Sequence, residues 1–348
     1  MRGELSMFKY KVLSLDGGGI RGIIPAIILK EIETRTKKRI WELFDLIAGT
    51  STGGFLAMIL TIPNPDNPNT TRYSMEEIIN MYREDGKNIF HESFLESLTE
   101  ADDLLRPKYS SKGREKVAEK YFKDVALKDA LTNVFITSYD IELRLPVFFI
   151  NNPRFERHTG TSFRKLCTDY KMIEAAMATS AAPTFFKPYQ LAMRGCDDGE
   201  NYALVDGAVF ANNPTALAIV EAIIYSQNKG QEVRLEDILV TSIGTGSLTR
   251  KFPYDEAKNW GKLQWIQPLI NIFLDGASEV ANYQLRQLLP DAQNIDKQYY
   301  RFQKELTEAS DDLDNTTEDN IELLEKAANT IITDKSREID KLCEQLLA

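Results

Sequence analysis

At 348 residues, with 43% hydrophobic and 27% charged side chains, the chain has the composition of an ordinary globular protein with a substantial core, in one large domain or two modest ones. A formal net charge of −10 argues against nucleic acid as a partner and against tight electrostatic adsorption to anionic membranes, while leaving transient membrane contact open. Three scattered cysteines (Cys167, Cys196, Cys343) and two histidines (His91, His158) lack metal-site spacing, so no metal is expected and the thiols read as free in a reducing compartment. The N-terminal segment has no apolar core of a secretion signal, and no run approaches the roughly 18 apolar residues of a membrane span. These features point to a cytoplasmic protein, in which the sequons at Asn69 and Asn315 stay idle.

In chain order, residues 9–15 (KYKVLSL) read as a short buried strand that ends in a glycine turn at 16–22. Apolar residues at helical spacing (Ile24, Ile27, Ile28, Ile32) predict a helix over 20–39, with Pro25 acceptable in its first turn. A second strand over 43–48 and a second helix over 53–60 complete a βαβ pattern, which calls for a parallel sheet with helices on its faces. Residues 62–72 (IPNPDNPNTTR) read as a loop, and 75–130 as largely helical with a charged excursion near 99–116 that could form a flap. Strands are expected at 133–138, 145–150, 202–205 and 238–243, and helices at 172–178 and 214–225. From residue 263 onward the pattern is helical, with an acidic loop at 307–319 and an amphipathic helix over 321–346 that packs on the core.

Two glycine turns carry the chemistry. Gly49-Thr50-Ser51-Thr52-Gly53 is a G-x-S-x-G elbow after an apolar strand and before an apolar helix, the context in which a serine hydroxyl is exposed on a strained turn. Upstream, Asp16-Gly17-Gly18-Gly19-Ile20-Arg21-Gly22 matches a dinucleotide fingerprint, but the next strand ends in the serine elbow and lacks the acidic ribose ligand. An anion cradle made by the N–H groups of Gly17, Gly18 and Gly19 fits better, with Arg21 holding the loop or adding positive potential. Ser51 needs a base. His158 lies in a polar stretch (FERHTGTS) and His91 in a partly charged one (IFHESF), where solvated surface histidines are the commoner outcome. Asp206 follows a short strand and precedes Gly207, at a sheet end where such sites gather; a plain D-G turn is the alternative. A partly buried carboxylate can take the serine proton directly. Thr179 to Pro183 reads as a packing strap, since Ser180 has no glycine elbow, and Ser242 to Gly246 as a structural loop at the same sheet end.

DGGGIRG at 16–22, GTSTGG at 49–54, ATSAAPTFF at 178–186, VDGA at 205–208, SIGTG at 242–246, NWGKLQW at 259–265 and the NIELL segment from Asn320 together resemble the patatin-like phospholipase family, plant patatins in particular. The resemblance spans nearly the whole chain. It implies a doubly wound α/β fold with a mostly parallel sheet flanked by helices, a catalytic domain over 8–250, and a helical C-terminal segment over 251–348 packed on the same domain. It further implies Ser51 as nucleophile, Asp206 as the base of a dyad, an oxyanion hole at Gly17–Gly19, and supporting roles for Arg21, Gly49, Gly53 and Gly207. The expected activity is hydrolysis of fatty-acyl esters in membrane phospholipids or galactolipids without a cofactor or calcium. Plant patatins begin with a secretion signal and this chain does not, which fits an intracellular enzyme better than a storage protein. Two other readings stay open: a catalytically silent protein that binds lipid or nucleotide, and a lipase effector held inactive until a partner or signalling ligand binds.

Overall fold

The computed structural model describes residues 8–90, 107–152, 162–167, 170–194, 199–247, 250–289 and 297–348. Strand β1 (Tyr10–Leu15) runs into the glycine turn and helix α1 (Ile23–Thr36); β2 (Leu46–Thr50) runs into Ser51 and α2 (Thr52–Ile59). A small hairpin of β3 (Pro63–Asn64) and β4 (Asn67–Thr71) follows, then α3 (Met75–Asn80) and α4 (Ser111–Phe122). Next come β5 (Asn133–Asp140), β6 (Leu145–Ile150), β7 (Arg164–Leu166), α5 (Met172–Thr179), β8 (Tyr189–Ala192) and β9 (Asn201–Asp206). The chain closes with α6 (Thr215–Asn228), β10 (Ile238–Ile243), α7 (Lys262–Leu288), β11 (Tyr299–Phe302), α8 (Glu318–Asp334) and α9 (Ser336–Leu347).

The central sheet has the order β11-β10-β1-β2-β5-β6-β7, and its first five strands are parallel. Buried on both faces for most of their length, these strands are largely apolar and send alternate residues to opposite sides. Leu13 and Leu15 join the core formed with α1, α2 and α8, through Ile28, Leu56 and Leu324 among others. Val12, Leu46 and Ala48 pack on the other side against Ala218, Ala222 and Tyr225 of α6. Helices on both faces of a mostly parallel sheet are the doubly wound α/β architecture expected from the βαβ order.

Three features depart from the sequence reading. The loop at 62–72 contains the β3–β4 hairpin. The C-terminal region is not purely helical: β11 adds a parallel strand to the sheet edge, with Val240 opposite Tyr299 and Ile243 opposite Phe302. All four of its residues (YYRF) are buried, so it lacks the in–out alternation that marks a strand and was masked by its helical surroundings. The amphipathic stretch over 321–346 is two helices that meet at Lys335. The first part of the flap expected at 99–116, residues 99–106, lies outside the described residues, and its end forms the start of α4.

The strand that bears Asp206 runs antiparallel. Strand β5 is longer than β2, and where β2 leaves the sheet at Thr50, β9 comes in along the rest of β5 from the opposite direction. Thr50 sits opposite Thr137 and Asp206 opposite Ser138, so neighbouring residues of β5 set the ends of β2 and β9 side by side.

Candidate active site

Ser51 is the residue between β2 and α2, with φ 55° and ψ −123°, a region that side-chain-bearing residues adopt only when their surroundings force it. Packing supplies that force. A Cβ at Gly49 would lie 2.2 Å from the Gly53 carbonyl oxygen, and one at Gly53 would lie 2.3 Å from that of Leu15, so the turn closes only with glycine at both places. Below the elbow, Thr50 Oγ1 is 2.7 Å from Thr137 Oγ1 and donates to the Ala211 carbonyl at 2.6 Å. The Ser51 N–H donates to Thr179 Oγ1 at 2.9 Å.

The glycine turn lies beside the elbow and is fastened from several sides. The Gly17 N–H donates to the Asn212 carbonyl at 3.0 Å, and Thr245 Oγ1 donates to the Gly17 carbonyl at 2.8 Å. Arg21, buried, donates from Nε to the Gly18 carbonyl and from Nη1 to the Gly246 carbonyl, each at 3.3 Å. Burial pushes its pKa down to about 10, against the pull of Asp275 and other acids nearby. Arg21 therefore braces the loop. Gly18 and Gly19 line the cavity, and their N–H groups have no acceptor among the described residues. The expected inclusion of Gly17 among the cavity's donors is corrected by its bond to Asn212: the free N–H pair is Gly18 and Gly19.

Asp206 is buried at the end of β9. Its Oδ1 accepts the Ala208 N–H at 2.9 Å, it shares the cavity lining with Ser51, and Gly207 presses against the Thr137 side chain. Burial pushes the carboxyl pKa up to about 6; the nearby Ser51 hydroxyl, the Ala208 N–H and the charge of Arg114 pull the other way without cancelling it. A group with that pKa is mostly ionised at neutral pH yet more basic than an ordinary aspartate. The strap at 179–183 ties the pair together, since Thr179 holds the Ser51 N–H and the Ala181 carbonyl accepts the Asp206 N–H at 3.0 Å. Ser51, Asp206, Gly18 and Gly19 face one cavity of about 370 Å³, walled by Ile20, Phe55, Met81, Phe90, Phe185 and Phe186 among other residues. His91 and His158, the other bases considered, lie outside the described residues, as does Cys196.

Two supports were not legible in the sequence. Asp16, just before the glycine turn, forms a buried bidentate pair with Arg301 of β11 (Nη1–Oδ1 3.0 Å, Nη2–Oδ2 2.6 Å), and Arg301 also donates to Ser242 at 2.9 Å. The only trace was a lone arginine among the aromatics of YYRF. The second is Arg114 of α4, a buried cation in the cavity wall, which the sequence gave no reason to single out from its charged neighbours.

The patatin-like phospholipase family model matches residues 13–219, a span that begins in β1, includes the glycine turn, the elbow and Asp206, and ends in α6. The chain belongs to the patatin-like phospholipase family. Patatin-like protein 1 of Arabidopsis thaliana is 32% identical to it, over 93% of this chain and 81% of the relative. Patatin of Solanum tuberosum is 30% identical, over 92% of this chain and 83% of the relative. A further relative from Solanum tuberosum, named "Probable inactive patatin-3-Kuras 1", is 32% identical over 92% of this chain and 86% of its own length. Among solved structures, VipD from Legionella pneumophila aligns with 92% of this chain and 67% of its own, at 11% identity and a TM-score of 0.41. Patatin-like phospholipases are lipid acyl hydrolases, and an apolar cavity that brings together a serine and a buried carboxylate suits that chemistry.

Proposed function

We propose that this protein hydrolyses fatty-acyl esters of membrane glycerolipids, as a phospholipase A or galactolipase, through a Ser51–Asp206 dyad. The observation that carries the reading is the meeting, at the ends of β2 and β9 and in one cavity, of a serine on a strained elbow and a buried carboxylate whose proton affinity is raised. As the Ser51 oxygen attacks the ester carbonyl, its proton passes to Asp206. The carbonyl oxygen takes up negative charge, which the N–H groups of Gly18 and Gly19 receive. Collapse of the tetrahedral intermediate breaks the ester C–O bond; Asp206 returns the proton to the departing alcohol of the lyso-lipid, and the acyl group stays on Ser51. Water then repeats the sequence with Asp206 as base and releases the fatty acid. No step calls for a cofactor.

Access from a lipid surface is supported by α7. Its outer face exposes Leu263, Ile266, Ile272, Phe273, Val280 and Tyr283, and Phe273 also lines the cavity. An apolar face continuous with the cavity mouth is the arrangement that lets a lipid enter without crossing water. No helix among the described residues is long and apolar enough to cross a membrane, so the contact proposed is peripheral. The test is release of free fatty acid from a defined phospholipid and a defined galactolipid. The wild type should release it, and both Ser51→Ala and Asp206→Asn should lose several orders of magnitude. Full activity in Asp206→Asn would end the dyad reading.

A further inference from the structure

We propose that Arg114 forms a phosphate subsite in the cavity, where its guanidinium binds the phosphodiester of a glycerophospholipid whose ester carbonyl lies at Ser51. This rests on the acyl-hydrolase reading and deepens it by naming phospholipids, rather than galactolipids or acylglycerols, as the preferred class.

Arg114 is 4% exposed and is the one cation among the described residues that line the cavity. Its Nη1 donates to the neutral Ser180 hydroxyl at 3.1 Å, its Nε has no acceptor, and the guanidinium stands 4.5 Å from the centre of the Phe186 ring. Among the described residues no carboxylate lies within ion-pairing distance of it. Asp206 acts on it only through space and already accepts from the Ala208 N–H. Burying a permanent charge without an ion partner costs several kcal/mol, about what one partnerless buried ion requires after relaxation. Burial accordingly lowers the guanidinium's pKa to about 10.

The contrast with the two other buried arginines of the site is informative. Arg301 is matched by the Asp16 carboxylate, and Arg21 is consumed by two loop carbonyls. Arg114 alone keeps unused donors in the wall of the substrate cavity. A planar fork of N–H groups suits a phosphodiester, which it can grip through two oxygens. In a glycerophospholipid the phosphate is a few bonds of glycerol from the ester carbonyls, so one molecule can reach Ser51 and a neighbouring cation together. Galactolipids and acylglycerols offer no anion there.

The experiment compares the full-length wild type with Arg114→Gln and Arg114→Lys on matched dihexanoyl lipids, one a phosphatidylcholine and the other a diacylglycerol. In parallel, Ser51→Ala with and without Arg114→Gln is titrated with the non-hydrolysable dialkyl ether counterparts of both lipids. Arg114→Gln should lower kcat/KM for the phospholipid about 10- to 100-fold more than for the diacylglycerol, the range of one charge-assisted hydrogen bond. The loss should fall mainly in KM, be partly restored by Arg114→Lys, and be matched in ether-phospholipid binding. Equal losses on both lipids would overturn the proposal and leave Arg114 a packing residue over Phe186. If inorganic phosphate inhibits the wild type on both lipids while the selectivity ratio ignores Arg114, the site takes free anions and the headgroup assignment is overturned. Should Arg114→Gln fail to fold, the drop in phospholipid selectivity with Arg114→Lys decides. A wild type that hydrolyses neither lipid refutes the hydrolase reading, and the ether-lipid titration then judges the subsite on its own.

Discussion

The raised proton affinity of Asp206 fixes the pH dependence of the reaction. Burial moves its carboxyl pKa from an ordinary 3.8 to about 6. The base works only when ionised, so kcat/KM should be flat at alkaline pH and fall on the acid side of about pH 6, by roughly tenfold per pH unit once the carboxylate is mostly protonated. The assay is the initial rate on a medium-chain nitrophenyl ester or a short-chain lipid between roughly pH 3.5 and 9, below the alkaline hydrolysis that would mask turnover. Arg114 lies close enough to lower this pKa, so Arg114→Gln should move the inflection to higher pH. Asp206→Asn should remove the acid limb along with most of the activity. His91→Ala and His158→Ala should each keep the limb. An inflection near pH 4, about where an unperturbed aspartate titrates, would refute the claim that burial tunes this group. Loss of the limb in either histidine variant would refute the assignment of the base.

Other consequences follow from the packing around the site. A Cβ at Gly18 would lie 2.2 Å from Thr245 Oγ1, so Gly18→Ala must push Thr245 away and displace the proposed oxyanion donors. Its kcat should fall about 10²- to 10³-fold, the scale for a lost donor of this kind, with little change in substrate binding. Removing the guanidinium by Arg301→Met leaves Asp16 charged and alone in the core and should lower unfolding stability by about 3–5 kcal/mol. An unpartnered Asp16 has a folded-state pKa above its unfolded value, so this deficit should shrink as acid protonates it, which denaturant melts at several pH values will reveal. Phe273→Ser should weaken binding to neutral phosphatidylcholine vesicles roughly tenfold, since a partly exposed phenyl contributes about half of the 1.5–3 kcal/mol of full burial. With a chain charge of −10, that binding should gain little from anionic lipid; strong dependence on phosphatidylserine would contradict an apolar docking face.

The part of the molecule that was legible in the sequence is the part built from short-range rules. Each strand that leads into a glycine turn carries its own apolar run, and the elbow needs glycines at 49 and 53 because backbone atoms touch there. The strand at 238–243 falls on β10 residue for residue. What could not be read depends on contacts distant in sequence. The entry of β9 against β5 is a matter of pairing, invisible in the four letters YALV, and it is what brings Asp206 to the end of β2. The strand β11 and its Arg301 are 285 positions from Asp16, and nothing local to either residue announces the other. A glycine turn specifies where donors can point but not which are already taken, and the Gly17 N–H is taken by the Asn212 carbonyl.

Covalent labelling tests the central claim most directly. A long-chain fluorophosphonate reacts with a serine whose hydroxyl is activated as it would be for an ester, and peptide mapping reports which serine carries the adduct. The account predicts one adduct, on Ser51, that is absent in Ser51→Ala, formed far more slowly in Asp206→Asn, and formed at the wild-type rate in His91→Ala and His158→Ala. An adduct on another serine, or a labelling rate that follows a histidine and ignores Asp206, would contradict it.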